Sequence, residues 1–377
     1  MIDTIKLTLI KPMFYFEKSR FIKDKQEALR GYFKLVQNPT SSELKRGIYK
    51  PRLAITNRFT GPTVSQKTLS VEFSIPKLIF GNNFDELKGD EFPQIIEKLN
   101  ALLLEMGVKV RKSCLINAPV SLVHYSKNIP LTDYSTPYTY IQQLNKVNFS
   151  AILDTSQTSY FNGGNGIKAH ANSYEIAFYD KLLDLQKAKI SPKRAYDKDS
   201  LIQLHLFDKF TPQKAFEVLR MEIRLNTRRK IRQILKTTNQ QQEPTFSNLF
   251  NANISKTVLL YYLKTIENNY PPLLAYQQTP KKLFSGLIIA NPNTKLKTLL
   301  TMYGLKALIE DIGTKGFRQL TKHYGKPTWY SLNKQMKQLK TADEPSIFNL
   351  VHNQLSAFEP LKLLDFQDNL LNNDKYN

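Results

Sequence analysis

A tyrosine and a lysine two residues apart form the first pair of side chains that could do chemistry. The segment IAFYDKLLDLQ carries Tyr179 and Lys181, and period-two counting along a strand from Tyr174 to Lys181 puts both on one face. A phenol beside an ammonium suits attack on a phosphodiester, because lysine favours the phenolate or stabilises charge developing on the phosphate. The alternative is a structural tyrosine beside an ordinary surface lysine, since the chain has 19 tyrosines.

The segment LRMEIRLNTR predicts a strand from Val218 to Leu225 with one charged face. Arg220, Glu222 and Arg224 alternate there with apolar residues. A carboxylate between two guanidiniums fits a site in which Glu222 binds a divalent cation and the arginines contact phosphate oxygens. A surface ladder of ion pairs, which contributes little to stability, is the alternative.

A basic stripe follows this strand. Thr227 is placed to cap a helix with the sequence RRKIRQILK, in which basic residues recur every four positions opposite an apolar face. A solvated helix face usually mixes charge signs, so we interpret the stripe as a contact with the DNA backbone. The predicted DNA-binding residues of the strand and the helix are Arg220, Arg224, Arg228, Arg229, Arg232 and Lys236.

Composition and charge narrow the class of protein. The 377 residues include 54 Lys and Arg against 32 Asp and Glu, a net charge of +22 that favours a polyanionic partner, with nucleic acid first. The single cysteine, Cys114, excludes an internal disulfide framework. We find no phosphate-binding loop, no dinucleotide-binding motif, no zinc-protease motif and no His-hydrophobe-His pair. No apolar run is long enough to span a membrane, so we expect no membrane partner.

The elements that must position these residues change type along the chain. Alternating patterns predict further strands at Thr4–Ile10, Pro51–Asn57, Leu69–Ile75 and Val120–Ser126, and a helix at Phe92–Met106 that Gly107 ends. Strands at Thr158–Asn162 and Ser173–Lys181 predict a hairpin with a wide loop. The fold class expected from these patterns is α+β, with a central, mainly antiparallel sheet and flanking helices.

After residue 227 the spacing of apolar residues predicts helices. Helices are predicted at Lys256–Glu267, Thr294–Glu310, Lys315–Tyr324 and Thr328–Leu339. We therefore expect two domains, 1–240 with the catalytic and DNA-binding residues and 245–377 helical. The last two helices have helix-turn-helix proportions, with Thr328 as a cap and Lys334, Lys337 and Lys340 on the polar face. A helical hairpin that only packs on the first domain is the alternative.

Several segments in order resemble one known family. MIDTIKLTL, LSVEFSIPKLIFGNNF, IAFYDKLLDLQ and LRMEIRLNTR are similar to blocks of the rolling-circle replication initiators of filamentous phages, the gene II/X nickase family. The stretch GTKGFRQLTKHYGKPTWYSLNKQMKQL resembles the helical end of that family. Plasmid Rep proteins of the Rep_trans type show a more distant similarity. The resemblance implies a nickase-like fold of the α+β class with a helical C-terminal region.

The resemblance also implies roles for individual residues. Tyr179 would be the nucleophile and Lys181 its charge-stabilising neighbour, with Glu72 and Glu222 as metal-site carboxylates. Where the family has a strand of the type Ser-Arg-Ile-Asp, this chain has VSLVHYS, which places His124 at the position of the Asp ligand. The resemblance implies a divalent metal, Mg²⁺ or Mn²⁺. Imidazole is a better ligand for Mn²⁺ than for Mg²⁺, so His124 bears on which of the two is bound. Asp133 is the alternative ligand to His124.

The expected function is site-specific nicking and closing of single-stranded DNA, to initiate rolling-circle replication of a phage or plasmid. Tyr179 would attack the origin, single-stranded or locally melted, and form a 5′-phosphotyrosine that leaves a 3′-OH. A host helicase and a single-strand-binding protein are further expected partners, in the cytoplasm of a bacterial host. The alternative is a non-catalytic DNA-binding replication initiator or regulator in which Tyr179 is structural.

Overall fold

The computed structural model describes residues 1–24, 34–59, 65–132, 135–147, 154–190, 217–270, 280–339, 348–363 and 365. The strands of these residues are β1 (Ile2–Ile10), β2 (Phe14–Phe16), β3 (Ile22–Lys23), β4 (Lys34–Gln37), β5 (Arg52–Phe59), β6 (Ser65–Ser74), β7 (Val108–Val110), β8 (Val120–Leu131), β9 (Asp154–Phe161), β10 (Gly166–His170), β11 (Tyr174–Asp180) and β12 (Glu217–Leu225). Ten of them form one sheet in the order β3-β4-β5-β6-β1-β8-β12-β11-β10-β9, and β2 pairs with β7.

Helices accompany the first strands and dominate after β12. They are α1 (Ser41–Lys45), α2 (Ile75–Phe80), α3 (Phe92–Glu105), α4 (Lys112–Ile116), α5 (Pro137–Asn145), α6 (Lys181–Ile190), α7 (Arg228–Thr237), α8 (Phe246–Leu249), α9 (Ala252–Glu267), α10 (Pro280–Ala290), α11 (Leu296–Leu320), α12 (Lys326–Gln338) and α13 (Asn349–Ala357). The expected α+β class with a large antiparallel sheet is confirmed. Among the described helices, none is both long and apolar enough to cross a bilayer.

Alternation of apolar and polar residues explains the central strands. In β1, Ile5, Leu7 and Leu9 are buried while Lys6 and Thr8 are partly exposed, as period two requires. The predicted strands at 4–10, 51–57, 69–75, 120–126 and 218–225 are confirmed as parts of β1, β5, β6, β8 and β12. The predicted helix at 92–106 is α3, and Gly107 follows it with a φ of +77°.

The predicted hairpin with a wide loop is wrong. The segment between its two strands contains β10, which pairs with β9 on one side and with β11 on the other. The turn around Gly163 and Gly164 is tight, with positive φ at both glycines, so the chain returns immediately into a third strand. Two strands, β10 and β9, therefore lie beyond β11 in the sheet, and Tyr179 is the residue before the last of β11.

Helices from both predicted domains pack on one hydrophobic core. Buried residues of α3, α7, α9, α11 and α13 join the inward residues of the sheet in a single cluster. Leu219, Met221, Ile223 and Leu225 are the members that β12 contributes. The division into domains 1–240 and 245–377 stays a prediction, although α9 and α13 lie directly against β8.

The predicted helix-turn-helix differs from the structure in its boundaries. The helices predicted at 294–310 and 315–324 correspond mostly to the two parts of α11 on either side of Gly313, where φ is +70° and ψ is 166° and the chain bends out of helical geometry. A Cβ at this glycine would lie 2.9 Å from the Asn145 side-chain nitrogen, so both the bend and the close approach require glycine. Thr328 does not cap α12, because the helix begins at Lys326 after Gly325.

Candidate active site and metal centre

The candidate site lies on the polar face of the sheet, where β11, β12, β8 and β1 run side by side. Tyr179, the residue before the last of β11, stands opposite Arg220 of β12. Arg224 of β12 stands opposite His124 of β8, and His124 opposite Thr4 of β1. Because opposite residues of an antiparallel pair project to the same face, the register brings polar side chains of four strands together.

Tyr179 is held by Glu222. The phenol Oη donates a hydrogen bond to Glu222 Oε2 at 3.2 Å, and the tyrosine is 8% exposed. Burial, and then the charge of Glu222, raise the pKa of the Tyr179 phenol well above its usual value. The phenol is therefore protonated at neutral pH, and attack by its oxygen requires an acceptor for the proton. Glu222 is the carboxylate in position to accept it.

Glu222 is an ionised carboxylate in a buried place. Its Oε1 accepts a hydrogen bond of 2.9 Å from Arg224 Nε and lies 3.6 Å from His124 Nδ1. Burial opposes ionisation, but the charges of Arg224 and Arg220 overcome it and hold the pKa of Glu222 well below its usual range. The negative charge that a hard cation needs is therefore present at neutral pH.

Three side chains on this face could hold a metal ion together. One ligand atom each from Asp3, His124 and Glu222 lies within 4.8 Å of the other two, and we call these residues the metal cluster. Burial lowers the pKa of His124, so its imidazole is neutral and able to bind a cation at neutral pH. The structure thus brings together two of the three predicted ligands, Glu222 and His124. Asp133, the alternative to His124, lies outside the described residues.

Asp3 was missed in the sequence because of an irregularity in β1. Strict alternation puts Asp3 on the buried face with Ile5 and Leu7. The pairing of β1 with β8 shifts register between Ile2 and Thr4, and such a β-bulge re-aims the extra residue. Asp3 consequently reaches the polar face, where its side chain is 13% exposed and its Oδ1 bonds to Arg220. The available signal was an acidic residue in the first strand, but strict alternation places that residue on the wrong face of the sheet.

Glu72, the third predicted ligand, lies outside the metal cluster. Its carboxylate is 31% exposed and pairs with Lys6 Nζ at 3.0 Å. In the sheet it stands between Lys6 of β1 and Arg52 of β5, so its nearest cross-strand neighbours are cations. Glu72 does line the same cleft as Tyr179 and Glu222, a volume of about 340 Å³ that we call the central cleft.

Arg220 is buried instead of reaching solvent, which is a correction to its predicted role in DNA binding. The residue is 2% exposed, and its guanidinium donates to Asn83 O, Asn128 Oδ1, Asp3 Oδ1 and Ser126 Oγ at 2.8–3.1 Å. The middle of β12 is covered by the segment around Asn83, so the charged face predicted for this strand is partly internal. Arg220 therefore positions Asp3 and supports the ionised state of Glu222.

Lys181 is also in a different place from the predicted one. The strand ends at Asp180, and Lys181 begins α6 with its side chain fully buried. Its Nζ donates to Asn83 Oδ1 at 2.8 Å. Burial, and then the charge of Arg220, lower the pKa of Lys181 to about 7. Its charge at neutral pH is therefore only partial, and it bonds to an amide rather than to the Tyr179 phenol.

Replacing Lys181 with Met is expected to stabilise the fold in a pH-dependent way. The folded-state pKa of about 7 lies below the unfolded value of 10.5. Between these pH values the folded state binds fewer protons than the unfolded state, so the free energy of unfolding of the wild type rises with pH. The Lys181→Met protein should therefore gain most over the wild type near pH 6 and progressively less towards pH 9. Urea unfolding of both proteins at several pH values measures this gain, and a gain that did not fall with pH would contradict the lowered pKa.

The central cleft is electrically balanced. Its lining includes four acids, Asp3, Glu72, Asp184 and Glu222, and four cations, Lys50, Arg52, Lys77 and Arg224. Arg224 is partly exposed and divides its guanidinium between Glu222 and Glu175, so it is the predicted DNA-binding residue that the structure places at the site. A phosphate entering a balanced cleft gains little from its fixed charges, and a bound cation would supply the attraction.

The basic stripe forms the exposed face of α7, as predicted. Thr227 caps the helix by accepting a hydrogen bond of 3.2 Å from Lys230 N, while Ile231, Ile234 and Leu235 are buried. The exposed residues are Arg228, Arg229, Arg232 and Lys236. Glu243, from the segment after the helix, pairs with Arg232 at 2.9 Å and with Arg228 at 3.8 Å. One acid therefore offsets part of the stripe's charge.

A second cleft lies beside the first residue of the stripe, Arg228. It has a volume of about 410 Å³ and is lined by residues that include Thr8, Thr68 and Arg228. Thr8 is on the same face of β1 as Thr4, because the two positions alternate with buried residues. The two clefts thus lie along one strand, separated by four residues or roughly 13 Å.

The lysines predicted to face duplex DNA are not a uniform row. Lys334 is exposed on α12, and Lys340 lies outside the described residues. Lys337 Nζ donates to Asn268 O at 3.0 Å and to Asn269 Oδ1 at 3.2 Å, which ties α12 to the end of α9. A helical hairpin that packs on the rest of the chain accounts for this contact.

Comparison of the chain with protein-family models, with curated proteins and with solved structures gave no match. The resemblance to replication initiators therefore depends on the short segments that carry it and stays a hypothesis.

Proposed function

We propose that this protein is a metal-dependent DNA nicking and closing enzyme that uses Tyr179 as its nucleophile. One observation carries the proposal: the Tyr179 phenol contacts Glu222 at 3.2 Å, and Glu222 belongs to a cluster with Asp3 and His124. A nucleophile, a proton acceptor and a candidate cation site thus share one cleft. Initiation of rolling-circle replication of a phage or plasmid is the role that the resemblance adds to this chemistry.

The proposed reaction is a transesterification. Tyr179 Oη bonds to the phosphorus as its proton passes to Glu222, and the bond from phosphorus to the 3′ oxygen breaks. That oxygen takes up a proton from water and leaves as a 3′-OH, while the 5′ side stays attached as a phosphotyrosine. The reverse attack by a 3′-OH rejoins the strand without a nucleotide cofactor, since one phosphodiester replaces another.

Asp3, His124 and Glu222 would hold the divalent cation, and the chemistry it supplies is neutralisation of charge on the scissile phosphate. Two carboxylates and one imidazole suit Mn²⁺ and admit Mg²⁺ less readily. The unpartnered, buried Nε2 of His124 supports a role as ligand, since a buried imidazole nitrogen with no partner among the described residues is unusual. Arg224 is placed to contact a phosphate oxygen beside the cation.

The proposed path of the DNA follows β1 from the second cleft to the central cleft. The stripe on α7 would grip the backbone, and Arg228 lines the second cleft itself. The two clefts are on one face of β1, so a single strand could occupy both without crossing the sheet. The helicase and the single-strand-binding protein remain proposed partners of the initiation step.

The test is covalent capture of DNA on the protein. A diverse pool of single-stranded oligonucleotides is incubated with the protein and Mn²⁺, then separated under denaturing conditions. A label at the 3′ end should migrate with the protein, while a label at the 5′ end should appear on a shortened free strand. The opposite distribution of labels would contradict the proposed 5′-phosphotyrosine linkage. The lack of any adduct would contradict the proposal that the protein is a nicking enzyme.

A non-catalytic DNA-binding initiator is the second candidate. The observation in its favour is that the Tyr179 phenol is buried, hydrogen-bonded and raised in pKa, as a structural tyrosine would be. This candidate predicts tight, salt-dependent binding of the same oligonucleotides with no adduct. Filter binding beside the capture assay separates the two functions.

Removing charge from the stripe is expected to change the salt dependence of DNA binding. Arg229 and Lys236 are exposed on α7. For single-stranded DNA, each cation that no longer neutralises a phosphate makes the slope of log K against log[salt] shallower by about 0.7. The slope of the double Ala variant should thus be shallower by roughly 1.4, similarly for all sequences, because backbone contacts carry no direct sequence information. Binding isotherms at several salt concentrations measure it.

The matched control removes two cations elsewhere on the surface. Lys18 and Lys109 are exposed and lie near the two-stranded sheet, so their double Ala variant has the same net charge. Its slope should equal that of the wild type. An equally shallow slope in both variants would mean that overall charge, and not the stripe, governs binding.

A further inference from the structure

We infer that a pocket between α11 and α12, away from the central cleft, binds a nucleoside phosphate. The pocket has a volume of about 360 Å³ and is lined by the second half of α11, the start of α12, the end of α5 and β9. The residues that carry the inference are Lys315, Arg318, Lys322, Lys326, Tyr160 and Trp329. The inference does not depend on the proposed nicking chemistry, since it involves none of the same residues.

Charge at this pocket favours an anion. Four of its lining side chains are cations, and the described residues that line it include no acid. Lys315, Lys322 and Lys326 are exposed and Arg318 is half-buried, so their charged ends are accessible. The nearest acid along the helix, Asp311, lies one turn before Lys315. This differs from the central cleft, where acids balance the cations.

The start of α12 adds to the attraction for an anion. Gly325 precedes the helix and no side chain caps it, so the Lys326 and Thr328 N–H groups have no side-chain acceptor, while Pro327 between them has no N–H. A helix N-terminus carries partial positive charge and binds phosphate well. Gly325 and Lys326 both line the pocket, which places this helix end beside the four cations.

One exposed aromatic ring, that of Tyr160, favours a base in addition to a phosphate, and the buried Trp329 ring forms part of the pocket wall. Tyr160 is 43% exposed, and its hydroxyl donates to Asn145 Oδ1, which fixes the ring at the wall of the pocket. Trp329 is 4% exposed and packs at 5.8 Å from the Phe317 ring. Base stacking on aromatic side chains stabilises nucleotide binding by about 1–3 kcal/mol per base.

Two polar atoms at the pocket lack partners. Trp329 Nε1 and Thr158 Oγ1 are buried, and among the described residues neither has a hydrogen-bond partner. Unpaired buried donors are rare in folded proteins, and an oxygen of a bound ligand would satisfy them. This observation is independent of the charges and points to the same kind of ligand.

The bend at Gly313 gives the pocket its shape. It allows Thr314 Oγ1 to donate to Lys146 O at 2.7 Å, which holds the second half of α11 against the end of α5. Lys315 and Arg318 are thereby directed along the same wall as Tyr160. The pocket is therefore a built feature of the fold rather than a gap between separate surface lysines.

The ligand chemistry admits two sources, a free nucleotide or one unit of a single strand of nucleic acid. Trp329 is the only tryptophan of the chain, so its fluorescence reports binding at this pocket directly. The probes are thymidine 5′-monophosphate, a short oligothymidylate, thymidine and inorganic phosphate. We expect a saturable fluorescence change with the first two and much weaker binding of the last two.

Variants test whether the pocket is the site. Arg318→Gln combined with Lys322→Gln should weaken binding by about tenfold or more, because the variant cannot make two charge-assisted hydrogen bonds to the ligand. The matched control is Lys297→Gln with Lys334→Gln, which removes two exposed cations of α11 and α12 outside the pocket and should bind normally. Far-UV circular dichroism and thermal unfolding confirm that both variants are folded.

Each result decides the matter. Tighter binding of the oligothymidylate than of the monophosphate identifies a strand as the source, and equal affinity identifies a free nucleotide. Inorganic phosphate binding as tightly as the monophosphate would overturn the nucleoside part of the inference. No fluorescence change with any probe, or an unchanged affinity in the Arg318→Gln, Lys322→Gln variant, would overturn the site. Because no arm measures nicking, failure of the proposed enzyme activity leaves this result interpretable.

Discussion

The Tyr179→Phe protein is expected to form no covalent complex with DNA, a loss of roughly 10⁴-fold or more relative to the wild type. Only the hydroxyl enters the proposed reaction, and the ring keeps its place between β10 and β12. DNA affinity should change by less than about twofold, since the phenol contributes one hydrogen bond to Glu222 and none to the stripe. Denaturation-resistant adducts and filter binding measure the two effects.

Tyr125→Phe is the matched control for this result. Tyr125 lies on β8, is buried, and its hydroxyl has no hydrogen-bond partner among the described residues. Its replacement removes an equivalent hydroxyl from the same sheet without touching the central cleft. Wild-type adduct formation is expected there, and adducts at wild-type yield from the Tyr179→Phe protein would exclude Tyr179 as nucleophile.

Glu222→Gln is expected to abolish cleavage and also to destabilise the fold by about 3–5 kcal/mol. The amide keeps the shape of the side chain but removes the negative charge that faces Arg224 and the buried Arg220. The positive charges of two guanidiniums then remain in a buried, low-dielectric site without the carboxylate charge that balanced them. Urea unfolding measures the stability, and an unchanged free energy of unfolding would mean that water or other acids compensate the arginines.

Two conservative variants, Asp3→Asn and Glu72→Gln, separate a loss of metal binding from a loss of stability. Asp3 is in the metal cluster, whereas Glu72 shares the cleft but pairs with Lys6. At a hundredfold excess over its dissociation constant, Mn²⁺ stabilises a protein that binds it by about 2.7 kcal/mol. We expect Mn²⁺ to raise the thermal midpoint of the wild type and of Glu72→Gln, but not that of Asp3→Asn. An Mn²⁺-induced increase in Asp3→Asn but not in Glu72→Gln would mean that Glu72, and not Asp3, is the metal ligand.

Local patterns in the sequence were sufficient for most of the sheet. LSVEFSI and VLRMEIRL alternate without interruption: LSVEFS forms the second half of β6, and VLRMEIRL forms all of β12 except its first residue. β10 was missed because GIKAH is short and carries a lysine and a histidine, so its strand character comes from pairing with both neighbours. The break predicted between 310 and 315 is confirmed, because the non-helical Gly313 lies between the two parts of α11.

The candidate site was predictable in its residue types but not in its burial. Tyr179, Glu222 and His124 lie together because strand alternation and the antiparallel register follow simple rules. The segment that covers Arg220 and Lys181, around Asn83, is distant in sequence and has no periodic signal. For this reason two residues expected at the surface are internal, and Asp3 emerged only through the bulge.

The hydrogen bonds of Arg220 have a consequence for the order in which the protein becomes active during its synthesis. Arg220 and Asp3 are 217 positions apart in the chain, and their bond requires β1, β8 and β12 to be paired. A growing chain therefore holds its first strand without the completed site until more than half of its length has left the ribosome. Contacts of such long range form late, so a nascent or truncated chain that ends before β12 lacks the completed candidate site. If the protein nicks DNA as we propose, a cell that makes it is protected in this way from nicking by incomplete copies.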